Sequence, residues 1–364
     1  MKQFSLKAAL LLGPVVGILY LTSAGSAGQN IYNGMSDASA IATLDGEYFV
    51  AADDEQTVLR VYSRQRQGRA VHSVFLAPFL GLPRRGAEVD LEGAARIGER
   101  IYWISSHGCN ASGEQQPSRQ RFFATTGRVT NGVIDLRPVG RPYAALLNDL
   151  ALDPRYRAFD LAAAARRMPK APDALNIEGL AATPEGHLLI GFRNPIPHGR
   201  ALLAPLLNPS EVIDAGKPAR FGDPVLLDLG GLGIRSMEYR EDRYWIVAGS
   251  FDGGKSSRFY QWAGGLAPPI PMELPEADGL NPEAIAFFRG AGGDVLWVVS
   301  DDGTVKVDGK EAKKLKDPNQ RRFRAVGVQI PNSEFRMPNG IWHSEFGIRN
   351  LHLRPPPLHS PGIL

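Results

Sequence analysis

The sequence predicts an all-β chain closed into a β-propeller, and three observations predict it. The first is a pattern that occurs five times: an acidic residue, a strand of small residues, a tight turn and an apolar strand. A hairpin repeated with a carboxylate at one fixed place implies a radial array whose acids converge on its axis. The second is composition. With 40 glycines and 28 prolines in 364 residues the chain is rich in turns, and 43% hydrophobic against 22% charged residues is enough for a core. The third is that Cys109 is the single cysteine, so no intrachain disulfide can form. Such a chain must be held by its core, which suits a large propeller better than a small stapled module.

The elements follow in order. Lys2 and Lys7 precede an uncharged run from Ala8 to Leu21, and small residues follow from Ser23 to Gly28. A positive start, an apolar run and small residues at the cut describe a secretory signal peptide over residues 1–28. The run is short of the roughly 20 residues that a spanning helix needs. The mature protein is therefore expected in the periplasm or secreted, with no transmembrane segment after cleavage.

The five hairpins begin at Asp37, Glu92, Glu178, Glu238 and Glu283, with turns at 44–46, 98–100, 184–186, 241–243 and 290–293. Their second strands, 48–52, 101–105, 188–192, 244–249 and 295–300, are rich in β-branched and aromatic residues. These runs are apolar on both faces, so they should be buried between neighbouring sheets. Third strands are read at 58–62, 121–125, 200–203 and 258–262. The longest interval separates Glu92 from Glu178. Within it, 142–170 carries Leu146, Leu147, Leu150 and an alanine run at 162–165, a helix-forming composition. This segment is read as a helical insertion between blades two and three. Five blades are expected, with a degenerate sixth, hidden in the insertion or built from the chain ends, as the alternative. The propeller domain is assigned to 29–330. Residues 331–364, with three prolines at 355–357 and no period, read as an appended tail. The basic run from Lys310 to Arg324 is read as a solvated outer strand, with an anionic surface partner such as membrane lipid as the alternative.

The net charge of +3 gives no reason to expect nucleic acid. The carboxylates are the strongest candidates. At one place on each innermost strand, Glu92, Glu178, Glu238 and Glu283 would form a partial ring at one mouth of the channel, with Asp37 or Ser39 in the fifth position. Clustered carboxylates cannot all stay ionised and unpaired: some take a proton, or a cation neutralises them. Hard oxygen donors favour Ca²⁺, with Mn²⁺ and Mg²⁺ as alternatives. The competing reading has each acid paired with Arg96, Arg193 or Arg235, locking blade to blade. The second-strand exits add Asp53-Asp54, Ser106-His107, Arg193-Asn194, Ser250 with Asp252, and Asp301-Asp302 to the same mouth. His107 could be a proton-transfer group or a satisfied loop histidine. Arg193 and Arg235 could clamp an anion or serve as counter-ions. Cys109 reads as a loop thiol. Gly249 to Ser256 matches the spacing of a phosphate loop, but the strand-like Arg258-Phe-Tyr-Gln-Trp262 follows where the chemistry needs a helix.

Two functional readings result. In the first, the chain is a metal-assisted hydrolase of a phosphate or other ester. Glu92, Glu178, Glu238 and Glu283 are its metal ligands, Arg193 and Arg235 its anion clamps, and His107 its proton-transfer group. In the second, it is a non-catalytic propeller, monomeric, whose mouth holds a small anionic ligand or a protein partner while the carboxylates act as structural locks.

Asn176 to Pro195, Leu226 to Glu238, Asp90-Leu-Glu-Gly93 and Ser105-Ser-His-Gly108 are distinctive. Over roughly residues 37–302 they resemble the uncharacterised bacterial family called domain of unknown function 3616. This resemblance implies a propeller and no established activity. More distantly, Glu178-Gly-Leu-Ala181 is similar to exported phytase-like and esterase-like propellers, some of which carry Ca²⁺.

Overall fold

The structure is a computed structural model that describes residues 19–20, 28–83, 88–254, 256–290 and 293–330. Residues 1–18, 21–27 and 331–364 are not described, so most of the expected leader and all of the tail lie outside it. The contact pattern assigns the described residues to one compact unit, Met1–Pro331.

Five antiparallel sheets follow one another along the chain. The first blade is Ala38–Thr43, Tyr48–Asp53, Val58–Ser63 and His72–Phe75. The second is Leu91–Ile97, Arg100–Ser105, Phe122–Thr130 and Val133–Tyr143. The third is Asn176–Ala182, Leu188–Asn194, Ala201–Leu206 and Val225–Leu227. The fourth is Gly233–Arg240, Arg243–Gly249, Ser257–Trp262 and Ile270–Glu273, with Leu19–Tyr20 in parallel at its outer edge. The fifth is Pro282–Gly290, Gly293–Ser300 and Arg322–Ile330, completed by Asn30–Asn33 from the other end of the chain. The architecture is the five-bladed propeller that the repeats predict.

The second strands are buried along nearly their whole length in every blade. Side chains on their two faces enter different cores, which is why these strands are apolar throughout rather than alternating. Five hydrophobic clusters fill the wedges between successive blades. The wedge between blades five and one holds Tyr32, Phe49, Tyr62, Phe288 and Phe323, so the first and last parts of the described chain share one core.

Between blades two and three lie the helices Leu146–Leu152 and Leu161–Ala164, joined by the 3-10 turn Pro154–Phe159. Leu146, Leu147, Leu150, Tyr156 and Leu161 pack into the wedge core between those blades. A further helix, Pro209–Ala215, precedes the last strand of blade three; it is short and was not expected from the sequence. The basic run of the fifth blade divides differently from expectation. Lys306–Val307 and Lys310–Glu311 form a small separate hairpin, while Arg322–Ile330 is a largely buried third strand. Among the described residues no helix is long and apolar enough to cross a membrane.

Candidate functional site

Each inner strand carries a β-bulge near its start. The pairing register slips between Ala38 and Ala40, Leu91 and Gly93, Ile177 and Gly179, Ile234 and Ser236, and Pro282 and Ala284. The bulged residues are Ser39, Glu92, Glu178, Arg235 and Glu283. A bulge leaves its residue outside the ladder and re-aims its side chain, so one side chain per blade occupies equivalent places at one end of the channel.

This register corrects the ring expected from the sequence. The fourth position is Arg235, not Glu238. Glu238 lies further along the same strand, opposite Trp245, and lines a separate cavity with Arg96, Thr183 and Gly186 at the far ends of the inner strands. The first position is Ser39, whose hydroxyl donates to the Leu91 carbonyl of the next blade.

Arginines engage two of the remaining glutamates. Glu178 Oε1 accepts from Arg193 Nη1 at 2.5 Å and from Asn176 Nδ2 at 2.8 Å. Arg193 Nη2 reaches across to the Phe251 carbonyl at 2.8 Å. Glu283 accepts from Arg235 Nη1 of the neighbouring blade. Neither guanidinium is therefore a free anion clamp, because each already neutralises a carboxylate. Glu92 differs: among the described residues it has no hydrogen bond and no ion pair.

Above the ring opens a cavity of about 980 Å³. Its wall carries the acids Asp54, Glu55, Glu88, Asp90 and Glu92. Arg119 binds both Asp90, at 2.8 Å, and Glu88, at 2.5 Å, and Arg321 binds Glu55 at 3.3 Å. Asp90 also accepts from Ser106 Oγ. Asp54 and Glu92 remain, and Asp54 Oδ1 is buried without a partner. Lys170, Arg193 and Lys313 complete the charged lining.

Burial, reinforced by Glu178, Asp90 and Asp54, pushes the Glu92 carboxyl well above the ordinary range; Arg193 opposes it. Burial, with Asp37 and Asp90 adding to it, does the same to Asp54. Asp90 rises to about 6 through burial, against Arg119. Asp37 rises to about 7 through burial, although its hydrogen bond from Ser36 opposes the shift. The mouth thus holds several carboxyls displaced toward neutral pH, of which Glu92 and Asp54 are unpaired.

The structure sets His107 apart from this chemistry. Its ring is 1% exposed and is not on the cavity wall, to which its neighbours Gly108 and Cys109 contribute. Nδ1 contacts the Ser105 carbonyl at 2.7 Å, and burial lowers its pKa to about 4. It is a buried neutral histidine, so the proton-transfer role expected of it is corrected. Cys109 is buried, its thiol donating to the Ala165 carbonyl at 3.0 Å.

A Ca²⁺ site built from the four glutamates does not fit this geometry: two are bound to arginine and Glu238 lies elsewhere. Among the described residues no three of His, Cys, Asp and Glu are grouped to hold a metal. The sequence marked Asp54 as a second-strand exit and Asp90 through its Asp-Leu-Glu-Gly context. Arg119, Lys170 and Lys313 carried no signal, because they come from loops and insertions outside the repeat.

The fold and the site define a five-bladed β-propeller with a carboxyl-rich cavity at one channel mouth. The family described as "Protein of unknown function (DUF3616)" matches residues 37–125 and 140–284, and the chain belongs to it. No curated protein matches the sequence. Among solved structures, Myxococcus xanthus glutaminyl cyclase is similar at 12% identity and a TM-score of 0.44, over 82% of this chain and 96% of that one. A GH43_1 enzyme from Xanthomonas citri is similar at 12% identity and a TM-score of 0.43, over 86% and 96%. Virginiamycin B lyase from Staphylococcus aureus is similar at 10% identity and a TM-score of 0.39, over 83% and 99%. At these identities and scores the likeness carries no activity across.

Proposed function

We propose that the chain is an exported hydrolase whose reaction takes place in the mouth cavity, with Glu92 and Asp54 as its acid–base pair. The observation that carries this is the exception they make: every other acid on the cavity wall is paired with arginine, and these two are unpaired. Asp54 helps to raise the Glu92 carboxyl, and carboxyls coupled in this way lose their protons in separate steps. Between those steps one is an acid and the other a base, the arrangement that hydrolysis of an ester or acetal linkage needs. The acid protonates the leaving oxygen while the base takes a proton from the attacking water. Arg193 and Arg119 fix the surrounding carboxylates. The leader-like residues 1–28 support export.

Glu92→Gln and Asp54→Asn keep the side-chain shape and remove the proton carrier. Tested on chromogenic esters, phosphate esters and glycosides, each variant should lose about 10²–10⁴ in kcat with its melting temperature preserved. Background rates on the whole panel, or variants as active as the parent protein, would overturn the reading. The Glu178–Arg193 and Arg235–Glu283 pairs favour a second reading, a binding propeller locked by its charges. That reading expects both variants to fold and none of the panel to be cleaved.

A further inference from the structure

Asn176 opens the inner strand of blade three and lines the mouth cavity, with its side chain only 7% exposed. Its amide cannot turn over. Nδ2 donates at 2.8 Å to Glu178 Oε1, an oxygen that also accepts from Arg193. A carboxylate only accepts, so the amide must keep its NH₂ toward Glu178 and its carbonyl oxygen away from it. Oδ1 has no partner among the described residues. Glu178 Oε2, on a residue 3% exposed, and Asp54 Oδ1 are likewise buried acceptors without partners. Arg193, which shares the cavity wall with Asn176, has in Nε an unpartnered buried donor.

A buried polar group left unpaired is costly to keep, so this wall is built for something that pairs with it. A carboxylate or a phosphate-ester dianion brings acceptors alone and would face Asn176 Oδ1 with no hydrogen to offer. An ammonium would satisfy the oxygens but leave Arg193 Nε without an acceptor. A hydroxyl both donates and accepts. We infer that the mouth cavity binds an uncharged polyhydroxylated ligand, a sugar or sugar derivative, with one hydroxyl donating to Asn176 Oδ1 and accepting from Arg193 Nε. The cavity of about 980 Å³ admits more than a single sugar ring. From the proposed hydrolase the inference takes only that this cavity is the working site.

The test is calorimetric titration of the full chain with neutral mono- and disaccharides, beside sodium phosphate, sodium acetate and methylammonium chloride. At least one sugar should bind, and Asn176→Ala should weaken it about tenfold at unchanged melting temperature. If that variant does not fold, the parent protein should bind one monodeoxy analogue of the sugar about tenfold more weakly than its parent sugar. Binding of phosphate, acetate or methylammonium without any sugar overturns the inference. So does a sugar bound equally well by Asn176→Ala, or by all of its deoxy analogues. Sugar binding without cleavage leaves the inference standing and removes the hydrolase; cleavage of simple esters without sugar binding does the reverse.

Discussion

Glu238 sits in a cavity of about 290 Å³ at the far ends of the inner strands, and burial raises its pKa from 4.5 to about 8, with Arg240 opposing. The folded chain therefore holds this proton more tightly than the unfolded chain. The resulting stability is complete below about pH 4.5, declines as pH rises, and is gone above about pH 8. Glu238→Gln should leave the melting temperature almost unchanged at pH 4 and raise it by a few degrees, roughly, at pH 9. Thermal melts at both values check this, and an equal shift at both would refute it. The same residue shows how far individual side chains are legible. As an acid ahead of an apolar strand it looks equivalent to Glu92 and Glu178, because sequence displays residue type and interval. What separates it from them is its position relative to the bulge, which only strand register reveals. Arg235 was legible as a residue of the mouth, but not as the occupant of the ring.

At the scale of elements, the hairpins were legible because second strands buried on both faces must be apolar throughout, and turn residues bound them. The bulges were not, since one extra residue in a strand leaves no compositional mark. Neither were the small hairpin at Lys306–Glu311 or the closing strand Asn30–Asn33, both too short and polar to show a period. The inner strand of blade four passes close to the second strand of blade three. A methyl group at Gly233 would run into the Arg193 carbonyl, in the backbone of the neighbouring blade. Gly233→Ala should therefore destabilise the protein by about 1–3 kcal/mol. It should also displace the strand that carries Arg193. A fall in the urea midpoint is the expected result, and an unchanged midpoint would show that the strands can separate without loss.

For the whole molecule, closure rests on Asn30–Asn33 pairing with Arg322–Ile330, with Tyr32 opposite Phe323. The Tyr32 ring lies 5.2 Å from Phe323 and 5.3 Å from both Phe49 and Tyr62, so it joins blades five and one through one aromatic core. Tyr32→Ala should cost about 3–5 kcal/mol, the range for truncating a buried aromatic. Chemical denaturation measures it, and a loss below 1 kcal/mol, roughly the scale of a surface change, would mean the seam contributes little.

The seam also decides when the cavity comes into being. The four main strands of each of blades one to four are consecutive in the chain, whereas the fifth must recover its fourth strand from a segment made before any of them. Contacts between distant parts of a chain form late, because a long loop must close first. Asp54 belongs to blade one and Lys313 to blade five, on either side of that junction, and Asp37 bridges to Asp301 across it. Asp54, Glu92 and Arg193 lie on blades one to three, so without the closing strand the wall lacks the part that Lys313 supplies. The cavity wall is therefore completed by the last strand exchange, not by the blades that carry most of its charge.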